Sequence, residues 1–216
     1  MIVRAIIQAR MGSQRLPGKM LFRLAGRSVL EHVVARVRKA EGLDEIMVAT
    51  AGPGHEAILG HCEALGVRCF VGDKSTERDV LRRFVFATAD LEETDYVVRV
   101  CGDNPLLAPE LVGPLVAAAV KVRVDYVGYR LPDGTPAIAM PNGYVAEVAK
   151  VDALEQLDWM IPSLDPRREH VTKGLYEQPD KFDCLWLFLP PQYVDRPPAA
   201  IDTREDLVRV AEMLEK

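Results

Sequence analysis

What this 216-residue chain lacks narrows its function first. No apolar run is long enough to span a bilayer, and Met1-Ile2-Val3-Arg4 does not open the charged, apolar and small-residue order of a signal peptide. No membrane partner is expected, and the cytoplasm is the expected compartment. Its four cysteines, Cys62, Cys69, Cys101 and Cys184, form no CxxC pair, so reduced, mostly buried thiols are expected rather than a zinc site. A net charge of −5 leaves no basic excess for nucleic acid, and any cation that matters to function must be local. Internal repeats, low-complexity tracts, the dinucleotide fingerprint and the P-loop spacing are all missing. What remains is 49% hydrophobic residues, enough for one sizeable core, and one domain over 1–216 is expected.

The stretch that organises the chain is its start. Residues 2–7 are apolar without alternation, as in a strand covered on both faces, and Gln8-Ala9-Arg10-Met11-Gly12-Ser13-Gln14-Arg15-Leu16-Pro17-Gly18-Lys19 follows as a loop. Arg10, Arg15 and Lys19 put three fixed cations where open α/β sheets bind ligands, and Gly12 and Gly18 let backbone approach one closely. Charge and glycine alone fit phosphate binding and an ordinary solvated connection equally well.

Strand and helix then alternate. Ser28-Val29-Leu30-Glu31 has the capping-box form and opens a helix whose C-cap is expected at Gly42. Strands are expected at 45–50, 67–71, 95–100, around Tyr126 and at 182–189. Helices are expected at 55–65, 79–91, 109–122, 151–160, 167–177 and 204–214. This order predicts an α/β fold, three layers with a mostly parallel central sheet built from right-handed crossovers. Turn signals at Pro132, Asp133-Gly134, Pro136, Pro141 and Asn142-Gly143 break the alternation, and a small β-rich insertion is expected over about 131–148.

Two acids fall on the same rim as the cationic loop. Asp103, in Gly102-Asp103-Asn104-Pro105-Leu106, lies just past the strand at 95–100, and Asp202 lies just before the last helix. Each reads as a carboxylate ligand for Mg²⁺, which takes hard oxygens and needs only one or two protein carboxylates. Each also reads as a turn or helix-cap residue.

The loop Ala9-Arg10-x-Gly12-Ser13-x-Arg15-Leu16-Pro17-Gly18-Lys19 closely resembles the signature of the sugar-activating cytidylyltransferases, the acylneuraminate and 3-deoxy-manno-octulosonate (KDO) enzymes. The nearest branch is that of the spore-coat polysaccharide biosynthesis proteins. Gly102-Asp103-x-Pro105-Leu106 and Asp202-Thr203-x-Glu205-Asp206-Leu207 are similar to the family's two metal-binding segments. The resemblance implies a nucleotide-diphospho-sugar transferase-like, Rossmann-like fold and an Mg²⁺-dependent transfer of CMP from CTP to a sugar, in a homodimer. It implies that Ala9, Arg10, Gly12, Ser13, Arg15, Lys19 and Cys101 bind the nucleotide. Asp103 and Asp202 would hold the metal, and Lys19, Arg10 and Asp103 would serve catalysis. By the same resemblance, Glu147 and the segment Arg168-Glu169-His170 would face the acceptor sugar.

This sequence departs from the pattern at Val145, where relatives carry Asp, and at Cys101, where they carry a better hydrogen bonder. Two other readings stay open. A glycosyltransferase would share the architecture, although Gly102-Asp103-Asn104 offers only one acid of an Asp-x-Asp motif, and a non-catalytic nucleotide-binding relative would tolerate both departures.

Overall fold

The computed structural model describes residues 1–215; Lys216, the last residue of the expected domain, lies outside them. The chain begins with β1 (Val3–Gln8), the hairpin strands β2 (Arg23–Leu24) and β3 (Arg27–Ser28), α1 (Val29–Val37), β4 (Glu45–Thr50), α2 (His55–Leu65) and β5 (Arg68–Val71). It continues through α3 (Val80–Ala87), β6 (Tyr96–Cys101), α4 (Val112–Val122), β7 (Tyr126–Arg130) and β8 (Glu147–Lys150). It ends with α5 (Val151–Met160), α6 (Lys173–Tyr176), β9 (Cys184–Phe188), α7 (Pro191–Val194) and α8 (Arg204–Leu214).

Seven strands form one sheet in the order β5-β4-β1-β6-β8-β7-β9, with only β8 running against the others. The unbroken apolar run of β1 is explained by what covers it. Ala5 and Ile7 pack with Val33, Ile58, Leu115 and Val210 of α1, α2, α4 and α8 on one face. Ile6 packs with Leu81, Leu154 and Leu175 of α3, α5 and α6 on the other. From β1 the chain steps outward to β4 and β5, then returns to place β6 on the opposite side of β1. That reversal opens a crevice at the carboxyl ends of β1 and β6, which is where such sheets bind ligands.

Local signals account for most of the element ends. Both halves of the capping box form at α1: Ser28 Oγ accepts from the Glu31 N–H, and the Glu31 carboxylate accepts from the Ser28 N–H. Gly66 ends α2 in the left-handed conformation, and Thr203 and Asp206 box the start of α8.

Three expectations are corrected. Helix α1 stops at Val37 with Arg38 as C-cap, and Gly42, at φ +80°, belongs to the turn beyond. The 131–148 segment is not β-rich; it holds a bridge from Arg130 to Pro136 and a 3₁₀ turn at Ala137–Ala139, and its only strand, β8, inserts into the main sheet. The helix expected at 167–177 is split, because Val171 sits at φ +54°, ψ −69°, a tight three-residue turn in which the Thr172 N–H reaches the His170 carbonyl at 2.6 Å.

β1 and β6 come so close at their carboxyl ends that a Cβ on Gly102 would stand 2.5 Å from the Gln8 carbonyl oxygen and 3.2 Å from Met20 Sδ. Gly102→Ala is therefore expected to lower the free energy of unfolding by about 1–3 kcal/mol. Denaturant titration checks this, and an unchanged midpoint would contradict the close approach.

Candidate functional site

The loop after β1 folds back on itself. The Ser13 and Gly18 N–H groups both donate to the Met11 carbonyl, Gly18 takes φ +74°, and a single 3₁₀ turn at Lys19–Leu21 follows. That turn buries the Lys19 side chain and aims it at two distant segments. Lys19 Nζ donates to Asp103 Oδ2 at 2.7 Å, to Asp202 Oδ1 at 3.0 Å and to the Ile201 carbonyl at 2.6 Å. The Ile201 N–H donates to the Asp103 carbonyl at 3.0 Å, so the two acidic segments are also joined to each other. Arg15 closes the group, 2.9 Å from Asp202 Oδ2. The two acids, 99 positions apart in the chain, thus share one ammonium group.

This cluster forms one wall of a cleft of about 900 Å³. Of the residues singled out from the sequence, Ala9, Arg10, Ser13, Arg15, Lys19, Cys101, Asp103, Glu169, His170 and Asp202 line it. Arg10 crosses the cleft to Glu169 Oε1 at 2.9 Å. Gly12, Glu147 and Arg168 do not line it. The space over Gly12 is taken by Glu77, whose Oε1 would lie 2.6 Å from an added Cβ, so in this state the glycine admits a protein carboxylate. Arg168 is buried and spent on structure. It pairs with Asp79 at 2.9 Å and with Asp158, and donates to the Asp158 and Ile161 carbonyls, tying the 166–170 turn to α3 and α5. Glu147 is 1% exposed and lies beneath the cleft floor. Val145 sits in the apolar core and outside the lining, so its departure from the family pattern removes no polar group from the cleft wall.

Sequence reasoning passed over several lining residues, notably Gln8, Arg78, Arg83, Arg99, Lys173 and Tyr176. Two of them carried a readable signal. Arg99 interrupts the apolar strand Tyr-Val-Val-Arg-Val-Cys, and Arg83 falls among the buried positions of α3. Arg83 holds the 72–79 loop through the carbonyls of Thr76 and Glu77; burial, then the Arg10 charge, lowers its pKa to about 10. Burial raises the Cys101 thiol to about 11, which keeps it protonated and neutral near pH 7. Burial and then the Arg99 charge lower the His170 pKa below its ordinary 6.5.

The donor set around Lys19 Nζ also suits a divalent cation. Two carboxylates and a carbonyl are hard oxygen donors already converging on one positive charge, and the acids are only partly covered. Among the described residues no group of three or more His, Cys, Asp or Glu gathers to make an all-protein cage. That pattern fits Mg²⁺, which keeps several waters and takes substrate phosphates as ligands, better than it fits Zn²⁺.

Residues 4–153 match the model of a protein family described as "Cytidylyltransferase". The chain is 39% identical to an uncharacterized protein of Methanocaldococcus jannaschii over 91% of its own length and 75% of that protein's. It is 32% identical to the spore coat polysaccharide biosynthesis protein SpsF of Bacillus subtilis over 98% and 85%, respectively. It is 41% identical to a 3-deoxy-manno-octulosonate cytidylyltransferase of Anaeromyxobacter over 54% and 46%. Among solved structures, a cytidylyltransferase from Leptospira borgpetersenii superposes with a TM-score of 0.84 at 24% identity, covering 100% of this chain and 87% of that one. A CMP:2-keto-3-deoxy-manno-octonic acid synthetase complexed with CTP gives 0.77 at 17%, covering 100% and 99%. At these identities the superpositions establish the fold. Among the described residues no helix is long and apolar enough to cross a membrane.

The Lys19 cluster has a pH signature. Burial alone would lower the Lys19 pKa, but Asp103 and then Asp202 outweigh it and raise the value above the ordinary 10.5. A cation raised in this way contributes stability that is whole below 10.5 and is lost as pH climbs through the folded-state value. Wild type is therefore expected to lose more unfolding free energy than Lys19→Met between pH 9 and pH 12, roughly the range over which lysine titrates. Parallel losses in denaturant titrations across that range would contradict the arrangement.

Proposed function

The chain belongs to the cytidylyltransferase family, and from that premise we propose that it transfers CMP from CTP to a sugar acid, releasing pyrophosphate, as a step in making polysaccharide precursors. The observation that carries this reading is the meeting of Lys19, Asp103 and Asp202 on the wall of a cleft that also holds Arg10, Arg15 and Ser13.

The chemistry asks little covalent work of the protein. A hydroxyl oxygen of the acceptor attacks the α-phosphorus, the bond from that phosphorus to the β-bridging oxygen breaks, and pyrophosphate leaves in line. Arg10 and Arg15 would bind the β- and γ-phosphates, and Lys19 would lie against the α-phosphate, where negative charge grows in the transition state. Ser13, Ala9 and Cys101 would line the nucleotide path. A divalent cation, Mg²⁺ on this reading, would be held by Asp103 and Asp202 and would supply further neutralisation of phosphate charge. The hydroxyl proton would pass to a carboxylate on the cleft wall, and Glu169 is the lining acid that this reading does not assign to the cation.

Each cation of the loop already has a protein carboxylate: Arg10 has Glu169, Arg15 has Asp202, and Lys19 has Asp103 and Asp202. The Arg10 and Arg15 pairs are partly exposed and individually weak, of order 0–1 kcal/mol, so phosphates can replace the carboxylates at little cost. The same reading carries a single nucleotidyltransferase domain over 1–216, a cytoplasmic location and a homodimer. The dimer contact is proposed near the 131–145 segment; Phe188, stacked on Arg130 beside it, is exposed, as are Trp159 and Leu164 elsewhere.

Pyrophosphate release tests the reading. With CTP, Mg²⁺ and a panel of sugars, release is expected with CTP and a sugar acid only, whereas consumption of a nucleotide-sugar would mark a glycosyltransferase instead. Lys19→Ala and Asp103→Ala are each expected to lower turnover by about 10²-fold or more. Wild-type turnover in either variant would remove that residue from the mechanism.

A further inference from the structure

Beneath the cleft floor lies a polar network that the transfer reaction, as described, leaves unused. Arg99 on β6 and Glu147 on β8 face each other in register and are 6% and 1% exposed. The Glu147 carboxylate accepts three hydrogen bonds from the protein. Its Oε1 accepts from the Tyr126 hydroxyl at 2.7 Å, and its Oε2 accepts from Arg99 Nη1 at 2.5 Å and from the Thr172 hydroxyl at 2.7 Å. With three protein donors, 1% exposure and a place outside the cleft lining, Glu147 is set to hold Arg99 rather than to touch a sugar directly, the role the family resemblance implied.

Arg99 is satisfied on one side only. Its Nε donates to Gln8 Oε1 at 3.1 Å and its Nη1 to Glu147. Its Nη2 has no partner among the described residues. Among the described residues, the unpartnered polar side-chain atoms sealed from solvent are Thr50 Oγ1 and Arg130 Nε, and Arg99 Nη2 is not one of them. Arg99 lines the cleft, and its neighbours there include Cys101, His170, Lys173 and Tyr176. A guanidinium fixed on two edges, with its remaining N–H donors open to a cleft, is built to receive an oxygen anion. Its own charge cannot be titrated away.

We propose that Arg99 recognises the carboxylate of the acceptor, and that Glu147 is the positioning residue that holds Arg99 in place to do so. This deepens the reading of the chain as a transferase acting on a sugar acid, and it rests on that reading. Lys173, at the same rim and only loosely paired with Glu177 at 3.7 Å, adds a second cation to the acceptor end. The phosphate-binding cations lie on the loop after β1, so nucleotide and acceptor anions are met by separate groups.

The test uses matched acceptors: 3-deoxy-manno-octulosonate and N-acetylneuraminate, each beside its methyl ester, which keeps the hydroxyls and removes the charge. The informative variant is the double Arg99→Gln/Glu147→Gln, because Arg99→Gln alone would leave a buried carboxylate unpaired. In wild type the acid is expected to be preferred over its ester by roughly 10-fold or more, as a hydrogen bond to a charged group requires. In the double variant that preference is expected to fall to near one, through a higher acceptor KM with CTP·Mg²⁺ affinity unchanged by calorimetry. Tyr126→Phe, which loosens Glu147 without unpairing a charge, is expected to raise acceptor KM a few-fold and leave CTP affinity alone.

Equal use of acid and ester by wild type, or an acid preference that survives in the double variant, would overturn the assignment. So would a loss of CTP affinity matching the rise in acceptor KM. Failure of every acceptor to release pyrophosphate would count against cytidylyl transfer itself. Calorimetry of the same acid and ester pairs against CMP-saturated protein still reads the carboxylate preference in that case, and equal binding, or none, overturns the role of Arg99.

Discussion

One buried ammonium group holds the site together. Lys19 Nζ contacts Asp103, Asp202 and the Ile201 carbonyl, joining the start, middle and end of the chain at the carboxyl rim of the sheet. Burying a lysine is costly unless its charge is met, and here two carboxylates and a carbonyl meet it. The arrangement also constrains the backbone around it. The loop after β1 must turn at Gly18, the strands β1 and β6 must approach closely enough to exclude a side chain at position 102, and the segment before α8 must lie against Asp103.

Charges around the cleft fall into two groups with different roles. The pairs Arg99–Glu147 and Arg168 with Asp79 and Asp158 are buried and multiply hydrogen-bonded, and breaking one would strand a charge in the interior. They set the shape of the floor and the position of the 166–170 turn. The pairs Arg10–Glu169 and Arg15–Asp202 reach solvent. On the proposed function, a triphosphate takes the place of the carboxylates on these cations, in a cleft whose lining carries seven Arg and Lys side chains against three Asp and Glu. A chain with net charge −5 can therefore hold a polyanion, because its cations are gathered in one cleft.

Much of this was legible in the sequence for physical reasons that act locally. The capping boxes at Ser28 and Thr203, the left-handed glycine at 66 and the unalternating run of β1 each depend on neighbours within a turn or two. The loop cations and the two rim acids were also visible, because strand ends locate them. What was hidden depends on contacts between distant segments. β8 is short and antiparallel, and its place between β6 and β7 is set by long-range pairing. The break at Val171 comes from a buried β-branched residue forced to positive φ, which no helical period reveals. The burial of Glu147 and Arg168 and their pairing with protein groups were hidden too, because a sequence shows a charge but not what its partners are.

The central claim is that Asp103 and Asp202 form one coordination site beside Lys19. Crystals grown with CTP and Mn²⁺, measured at the manganese edge, test it most directly. The account predicts an anomalous peak bonded to carboxylate oxygens of both Asp103 and Asp202, with Lys19 moved onto the nucleotide phosphates. A manganese peak bonded to neither acid, with Lys19 still clasped between them and the nucleotide bound elsewhere, would contradict it.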